Sequence, residues 1–194
     1  VDDDNNPSFS ITETGGSTSV DESGTTDTFT VVLGTAPSGN VVFDLTDNDT
    51  DNSEISYTPT TLTFTTGNWN TAQTVTVTGQ NEVIDDGNQT SAITVAVNTG
   101  STADAGYDAL ASKSVSVTTV DNDLAGMTAS PSGGSTAVSE AGSTDTITVV
   151  LDTLPASNVV VDVTASDTTE ATVSPSSLTF TTGNWNSAQT VTVT

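Results

Sequence analysis

The residues of this sequence that could do chemistry are carboxylates. Among 194 residues there are 25 Asp and Glu, one basic residue and no His or Cys. In the first half of the chain the acidic residues gather near the ends of predicted strands. The groups are Glu22; Asp47, Asp49 and Asp51; Glu82, Asp85 and Asp86; and Asp121 and Asp123. Ca²⁺ takes six to eight oxygen ligands, which a single loop rarely supplies but several loops at one end of a domain can.

The composition excludes several other kinds of site. A surface that binds nucleic acid needs Lys and Arg, but the formal net charge is −24 and Lys113 is the only basic side chain. Without His and Cys, the chain can form neither a Ser-His-Asp triad nor a Cys/His zinc site. Carboxylate pairs that hydrolyse glycosides also need aromatic platforms, and the seven Phe and Trp residues mostly occupy core-like positions. We therefore expect neither an enzyme nor a nucleic-acid partner.

Internal repetition organises the chain. Residues 26–33 (TDTFTVVL) return as residues 144–151 (TDTITVVL), and residues 62–70 (LTFTTGNWN) return unchanged as residues 178–186. The first offset is 118 residues and the second is 116, so the first copy carries two extra residues between Thr46 and Pro59. One copy spans about 119 residues, close to the size of a β-sandwich domain.

The periodic segments all predict strands. Residues 73–78 (QTVTVT) alternate Val with Thr, and residues 28–33, 41–45, 91–97 and 114–120 behave similarly. Alternation with a period of two is typical of strands that bury one face, and Gly, Pro and Asn pairs between the segments favour turns. The sequence therefore predicts an all-β, antiparallel β-sandwich for each copy, with at most a helical turn near residues 103–110. No apolar run approaches the roughly 18 residues of a membrane span, so we expect no membrane insertion.

The second copy is shorter than the first. The repeats predict a complete module at residues 1–123 and a second module at residues 124–194 that lacks its last two strands, the counterparts of residues 90–98 and 113–120. We expect the parent protein to continue past Thr194, since residues 1–4 (VDDD) also look like a module junction. Donation of the missing strands by another copy is the alternative.

These segments together resemble the Calx-beta repeat, known from sodium–calcium exchangers and large bacterial surface proteins. The resemblance rests on residues 20–33 (VDESGTTDTFTVVL), residues 174–194 (SPSSLTFTTGNWNSAQTVTVT) and the closing residues 120–123 (VDND). It covers about residues 9–123 and 127–194. It implies tandem immunoglobulin-like or Calx-beta-like sandwiches of seven strands, with Ca²⁺ bound in loops at one end of many members.

The resemblance also implies a set of calcium ligands. It places Glu22 at a ligand position near the first strand, Glu82 and Asp85 in the acidic loop after the fifth strand, and Asp121 and Asp123 in the closing triplet, with Asp49 or Asp51 from the remaining loop. In the second copy the candidate ligands are Glu140 and Asp167. Exchanger-type members have a run of Asp where residues 80–82 (QNE) stand here, which implies fewer ions or weaker binding. The alternative is that these carboxylates are solvated turn residues.

Two functions from different classes fit these features. The favoured one is a calcium-binding spacer repeat of a long, secreted bacterial adhesin-like protein at the cell surface, with neighbouring repeats as its partners. The alternative is an adhesin module that recognises an extracellular glycan or protein, or a subunit of an extracellular filament or surface layer. Trp69 and Trp185 lie in the same repeated turn; we expect each to cover one end of a core, although Trp can also stack on sugars.

Overall fold

A computed structural model describes residues 6–49 and 53–194 of the chain. They form two compact units. The first comprises the described residues within Val1–Glu82 and Asp86–Asn122, and the second comprises Val83–Asp85 and Asp123–Thr194. α1 (Ala105–Asp108) is the one α-helix among these residues, and no described helix is long and apolar enough to cross a membrane.

The first unit is built from nine strands in two sheets. The strands are β1 (Phe9–Glu13), β2 (Thr18–Asp21), β3 (Thr26–Leu33), β4 (Val41–Asp47), β5 (Ile55–Thr58), β6 (Thr61–Phe64), β7 (Gln73–Gly79), β8 (Gln89–Val97) and β9 (Lys113–Val120). One sheet has the order β1-β3-β7-β5 and the other β2-β9-β8-β4-β6. Neighbours are antiparallel except β2 and β9, which are parallel. The arrangement is an immunoglobulin-like sandwich, which confirms the predicted all-β fold class.

Alternating side chains place the core between the two sheets. On β3, Phe29, Val31 and Leu33 are buried, while the residues between them are more exposed. The same period of two buries Phe43 on β4 in the opposite sheet, where its ring meets that of Phe64 edge to face with centroids 6.0 Å apart. Full burial of one such side chain contributes about 1.5–3 kcal/mol, so this alternation is the main source of the unit's stability.

Two aromatic residues cover the ends of this core. Trp69 is partly buried against it, as predicted for the repeated turn, and Trp185 does the same in the second unit. Tyr107 lies on α1 and is only 1% exposed. Its hydroxyl donates to the carbonyl oxygen of Thr35 over 2.7 Å, so its one polar atom has a partner inside the protein.

The second unit repeats six of these strands. They are β10 (Met127–Pro131), β11 (Asp145–Leu151), β12 (Val159–Asp162), β13 (Val173–Ser174), β14 (Ser177–Phe180) and β15 (Gln189–Val193). They form the sheets β10-β11-β15-β13 and β12-β14. Each occupies the place that its repeat counterpart has in the first unit, with β10 matching β1, β11 matching β3 and β15 matching β7.

Two differences between the units have a single cause. Residues 136–139, the counterpart of β2, form no strand, and β12 has four residues where β4 has seven. In the first unit β2 pairs with β9, and Thr46 and Asp47 at the end of β4 pair with β8. The described part of the second unit contains no counterpart of β8 or β9, so these segments lack the strands that would hold them extended.

Candidate metal site

The ends of β2, β7 and β9 meet at one end of the first unit. β2 ends at Asp21 beside Gly79, the last residue of β7, where a Cβ atom would collide with the Asp21 carbonyl oxygen. Only glycine permits this approach of the two strands. The backbone N–H of Glu22 donates to the carbonyl oxygen of Val120, at the end of β9, over 3.2 Å. The sandwich thereby brings together loops that are far apart in sequence.

Glu22 is the most deeply buried carboxylate of this end. Its side chain is 1% exposed, and one carboxylate oxygen accepts from the backbone N–H of Asn122 over 3.2 Å. The carboxylate oxygens that Glu22 and Glu82 offer lie within 4.8 Å of each other. The structure therefore brings together two of the candidate ligands, from the loops after β2 and β7.

Asp49 fixes the loop between β4 and β5. It is 9% exposed, and its Oδ2 accepts from the backbone N–H groups of Glu54 and Ile55, each over 3.0 Å. These bonds fix the backbone of Glu54, the residue directly before β5, and of Ile55, the first residue of β5. Asp51, the other candidate from this loop, lies outside the described residues.

Glu54, directly before β5, is influenced by the charges at this end of the unit, although the sequence did not single it out. Burial raises the pKa of its carboxyl above the ordinary value, and the charges of Asp86, Asp49, Glu22 and Glu82 raise it further, in that order. Its Oε2 is buried and has no hydrogen-bond partner within residues 6–49 and 53–194. A sequence signal was available, since an acidic residue stands at the equivalent place in the second copy, Glu170.

The donor set at this end fits Ca²⁺ better than other ions. It consists of carboxylate oxygens, which hard cations prefer, and the absence of His and Cys from the chain excludes the usual zinc and copper ligands. The one basic side chain is at the opposite end of β9, about 23 Å away by strand rise. There Lys113 donates to the carbonyl oxygen of Phe9 over 2.6 Å and lies 4.7 Å from that residue's ring centroid. Lys113 is thus engaged with Phe9.

The remaining candidates of the first copy lie around this end or beyond the unit. Asp121 Oδ2 accepts from the backbone N–H of Gly87 over 2.7 Å and so holds the acidic loop against the end of β9. Asp85 belongs to the second unit, where its Oδ2 accepts from the N–H of Ala125 over 2.7 Å. Asp123 directly follows Asn122 in the chain and is also assigned to the second unit.

The second unit offers no comparable group. Glu140, the counterpart of buried Glu22, is exposed, because the residues before it lack the strand pairing of β2. Asp167, the counterpart of Asp49, is also exposed. Its Oδ1 accepts from the hydroxyl and backbone N–H of Thr169 over 2.6 and 2.9 Å, and these bonds lower its pKa. Within the described residues of this unit, no three acidic side chains come within metal-binding distance of one another.

Comparisons with known proteins give fold neighbours only. No protein-family model matches the chain, and no curated protein matches it. Similar solved structures include the YadV chaperone (TM-score 0.42, 10% identity, covering 95% of this chain and 84% of that one) and the E. coli chaperone DraB (0.42, 12%, 73% and 68%). The calcium binding domain CBD12 of CALX1.1 is also similar (0.35, 11%, 95% and 74%). At these values the functions of those proteins do not transfer to this chain.

Proposed function

We propose that this chain is a calcium-binding structural repeat, a spacer in a secreted, adhesin-like bacterial surface protein, and that it has no enzymatic activity. The observation that carries the proposal is the cluster of carboxylates at one end of the first unit, where the oxygens of Glu22 and Glu82 lie within 4.8 Å of each other. Glu22, Glu82 and Glu54 come from three separate loops, and the charges of Glu22 and Glu82 raise the pKa of Glu54.

The physical argument is one of charge. Like charges at close range repel, and they do so more strongly where water is partly excluded. The chain's one basic side chain lies at the far end of β9, so it does not offset this repulsion. A divalent cation with oxygen ligands would offset it and would join the loops that follow β2 and β7 to the loop before β5. Such a site would stiffen the end of the repeat, as a spacer requires.

The surroundings of the site favour a structural role over catalysis. Asp49 and Asp121 use carboxylate oxygens to hold backbone N–H groups of neighbouring loops, which makes them loop-positioning residues. Extracellular calcium modules bind with dissociation constants of roughly 10⁻⁴–10⁻³ M, which suits a secreted protein in a calcium-rich medium.

Isothermal titration of the full chain with CaCl₂ tests the proposal, with MgCl₂ as the ion control. We expect Ca²⁺ to bind with a dissociation constant of roughly 10⁻⁴–10⁻³ M and Mg²⁺ to bind more weakly, because Mg²⁺ demands a stricter octahedron and releases water reluctantly. Glu54→Gln should weaken Ca²⁺ binding, whereas the exposed Glu140→Gln, which makes the same change in net charge, should not. Absence of Ca²⁺ binding at millimolar concentration, or equal weakening by both variants, would overturn it.

A further inference from the structure

The outer face of one sheet in the first unit carries almost only hydroxyl side chains. Strands β1, β3, β7 and β5 bury alternate residues, so the residues between them point outward. Apart from Val32, these outward residues are Ser10, Thr12, Thr26, Thr28, Thr30, Ser56, Thr58, Thr74, Thr76 and Thr78. No outward position on these four strands carries a charge or an aromatic ring, although the chain has 25 Asp and Glu residues. The face is therefore neutral in a strongly acidic protein.

The pairing of β3 with β7 arranges these hydroxyl groups in a regular lattice. The opposite pairs on the outer face are Thr26↔Thr78, Thr28↔Thr76 and Thr30↔Thr74, and we call these six residues the hydroxyl ladder. Neighbouring strands lie about 4.7–4.9 Å apart, and successive pairs follow one another every 6.6–6.8 Å or so along the strands. The lattice widens on both sides, because Thr12 lies opposite Thr30 and Thr58 lies opposite Thr76.

The second unit carries the same arrangement on the equivalent sheet. There Thr146 lies opposite Thr192 and Thr148 lies opposite Thr190. The other sheet of the first unit differs, since the outward positions of its two strands β4 and β8 include Val42, Asp44, Ala92 and Ala96. Hydroxyl side chains are thus a property of one sheet, in both units, and not of every exposed strand of this chain.

The ladder is ordered before any ligand arrives. Thr is β-branched and therefore stiff about its first side-chain bond. Thr28 and Thr14 share a hydrogen bond of 2.7 Å between their hydroxyl oxygens, and the Thr30 hydroxyl donates to the carbonyl oxygen of Thr12 over 3.4 Å. Adjacent strands are rotated by only about 20–25°, so a ladder of two strands is close to flat. Binding to a flat, repeating surface would therefore cost little ordering entropy.

The chemistry of the ladder matches a crystal of water. A Thr hydroxyl donates one hydrogen bond and accepts two, so it can take the place of a water molecule in a hydrogen-bonded lattice. The two repeats of the ladder are comparable to the distances between oxygen atoms on the prism faces of ice. Sugar surfaces favour aromatic platforms, which the outward positions of these strands lack. We propose that the hydroxyl ladder binds ice, an uncharged surface that suits an uncharged face. This site is independent of the proposed calcium site.

Ice-affinity partitioning of the full chain tests the proposal. Ice that grows slowly on a cold finger excludes ordinary solutes and retains proteins that bind it, so we expect enrichment of the chain in the ice relative to serum albumin. Thr76→Tyr with Thr192→Tyr changes repeat-equivalent positions of the two ladders and interrupts the lattice with a bulky side chain. Enrichment should then fall to that of albumin. Thr63→Tyr with Thr179→Tyr makes the same change at repeat-equivalent outward positions of β6 and β14, in the other sheet of each unit, and should leave enrichment unchanged.

Circular dichroism checks that each double variant keeps its strands, which Tyr favours. If the ladder variant does not fold, Thr76→Lys with Thr192→Lys replaces it, and Thr63→Lys with Thr179→Lys is then the control. The proposal is overturned if the unmodified chain is no more enriched in ice than albumin, or if the ladder and control variants are enriched equally. Binding to insoluble cellulose or chitin without enrichment in ice would also overturn it, because the ligand would then be a neutral glycan.

Discussion

Replacing Glu82 by Gln should stabilise the first unit when calcium is absent. Two unit charges 4.8 Å apart, the separation within which the Glu22 and Glu82 oxygens lie, repel by about 1 kcal/mol in water and about 3.5 kcal/mol at an effective dielectric constant of 20. Gln keeps the shape and removes the charge. For a domain of this size each kcal/mol shifts the melting temperature by about 3–5 °C, so we expect an increase of several degrees in chelator.

The same substitution should have the opposite effect on the response to calcium. At ten to a hundred times its dissociation constant, one bound ion adds about 1.4–2.7 kcal/mol to the free energy of unfolding. If Glu82 is a ligand, this increment shrinks in Glu82→Gln. The stabilisation in chelator and the loss in calcium therefore have opposite signs, which a general change in packing would not produce.

Thermal unfolding followed by Trp69 fluorescence measures both effects. A Trp185→Phe background removes the signal of the second unit, and Glu140→Gln serves as the control because it makes the same change in charge at an exposed position. The charge argument is refuted if Glu82→Gln melts no higher than Glu140→Gln in chelator. The ligand assignment is refuted if the calcium increment is the same in both variants.

Three further changes test other parts of the structure. Trp69→Ala should cost the first unit about 3–5 kcal/mol in urea unfolding, the usual range for a core aromatic; a change near zero would mean that Trp69 does not support the core. Tyr107→Phe should cost about 1–3 kcal/mol, because the Thr35 carbonyl then loses its buried donor; a neutral result would show that water replaces it. Because the pKa of Glu54 is raised above 4.5, the folded state holds this proton more tightly than the unfolded chain. Without calcium, the free energy of unfolding should fall as pH rises from about 4.5 through the raised pKa, and Glu54→Gln should abolish that fall.

Much of the fold could be predicted because its determinants are local. Val and Thr alternate over single strands such as β7, and a repeat offset places the same strands in both units. The sequence also predicted the helical turn that became α1. The step by which the chain passes from β1 in one sheet to β2 in the other could not be predicted from local patterns. It depends on a 3₁₀ turn at Thr14–Gly16, with Gly15 at φ 70°, and on the parallel pairing of β2 with the distant β9.

The site was harder to predict because it depends on contacts between distant loops. Clusters of Asp and Glu in the sequence lie near the end of the first unit where the oxygens of Glu22 and Glu82 come together. However, spacing cannot tell that Asp49 turns its Oδ2 to two backbone N–H groups, or that burial and the charges of four other carboxylates raise the pKa of Glu54. Glu140 shows that a match in the repeat does not guarantee the same environment, since it corresponds to the buried Glu22 but is exposed. Burial of Glu22 depends on β9, which lies about a hundred residues later in the chain.

The parallel pairing of β2 with β9 has a mechanical consequence. β2 lies near the start of the first unit and β9 at its end, and four residue pairs from Thr18↔Val117 to Asp21↔Val120 join them. Tension between the two ends of the unit pulls these strands in opposite directions along their length. Their hydrogen bonds are then loaded in shear and resist together, rather than breaking one after another as in a peeled hairpin. Forced unfolding is governed by the unfolding rate, so we expect this pairing to contribute to the tension that the first unit withstands, together with the pairing of β1 with β3. Residues 136–139 form no such pairing within residues 123–194.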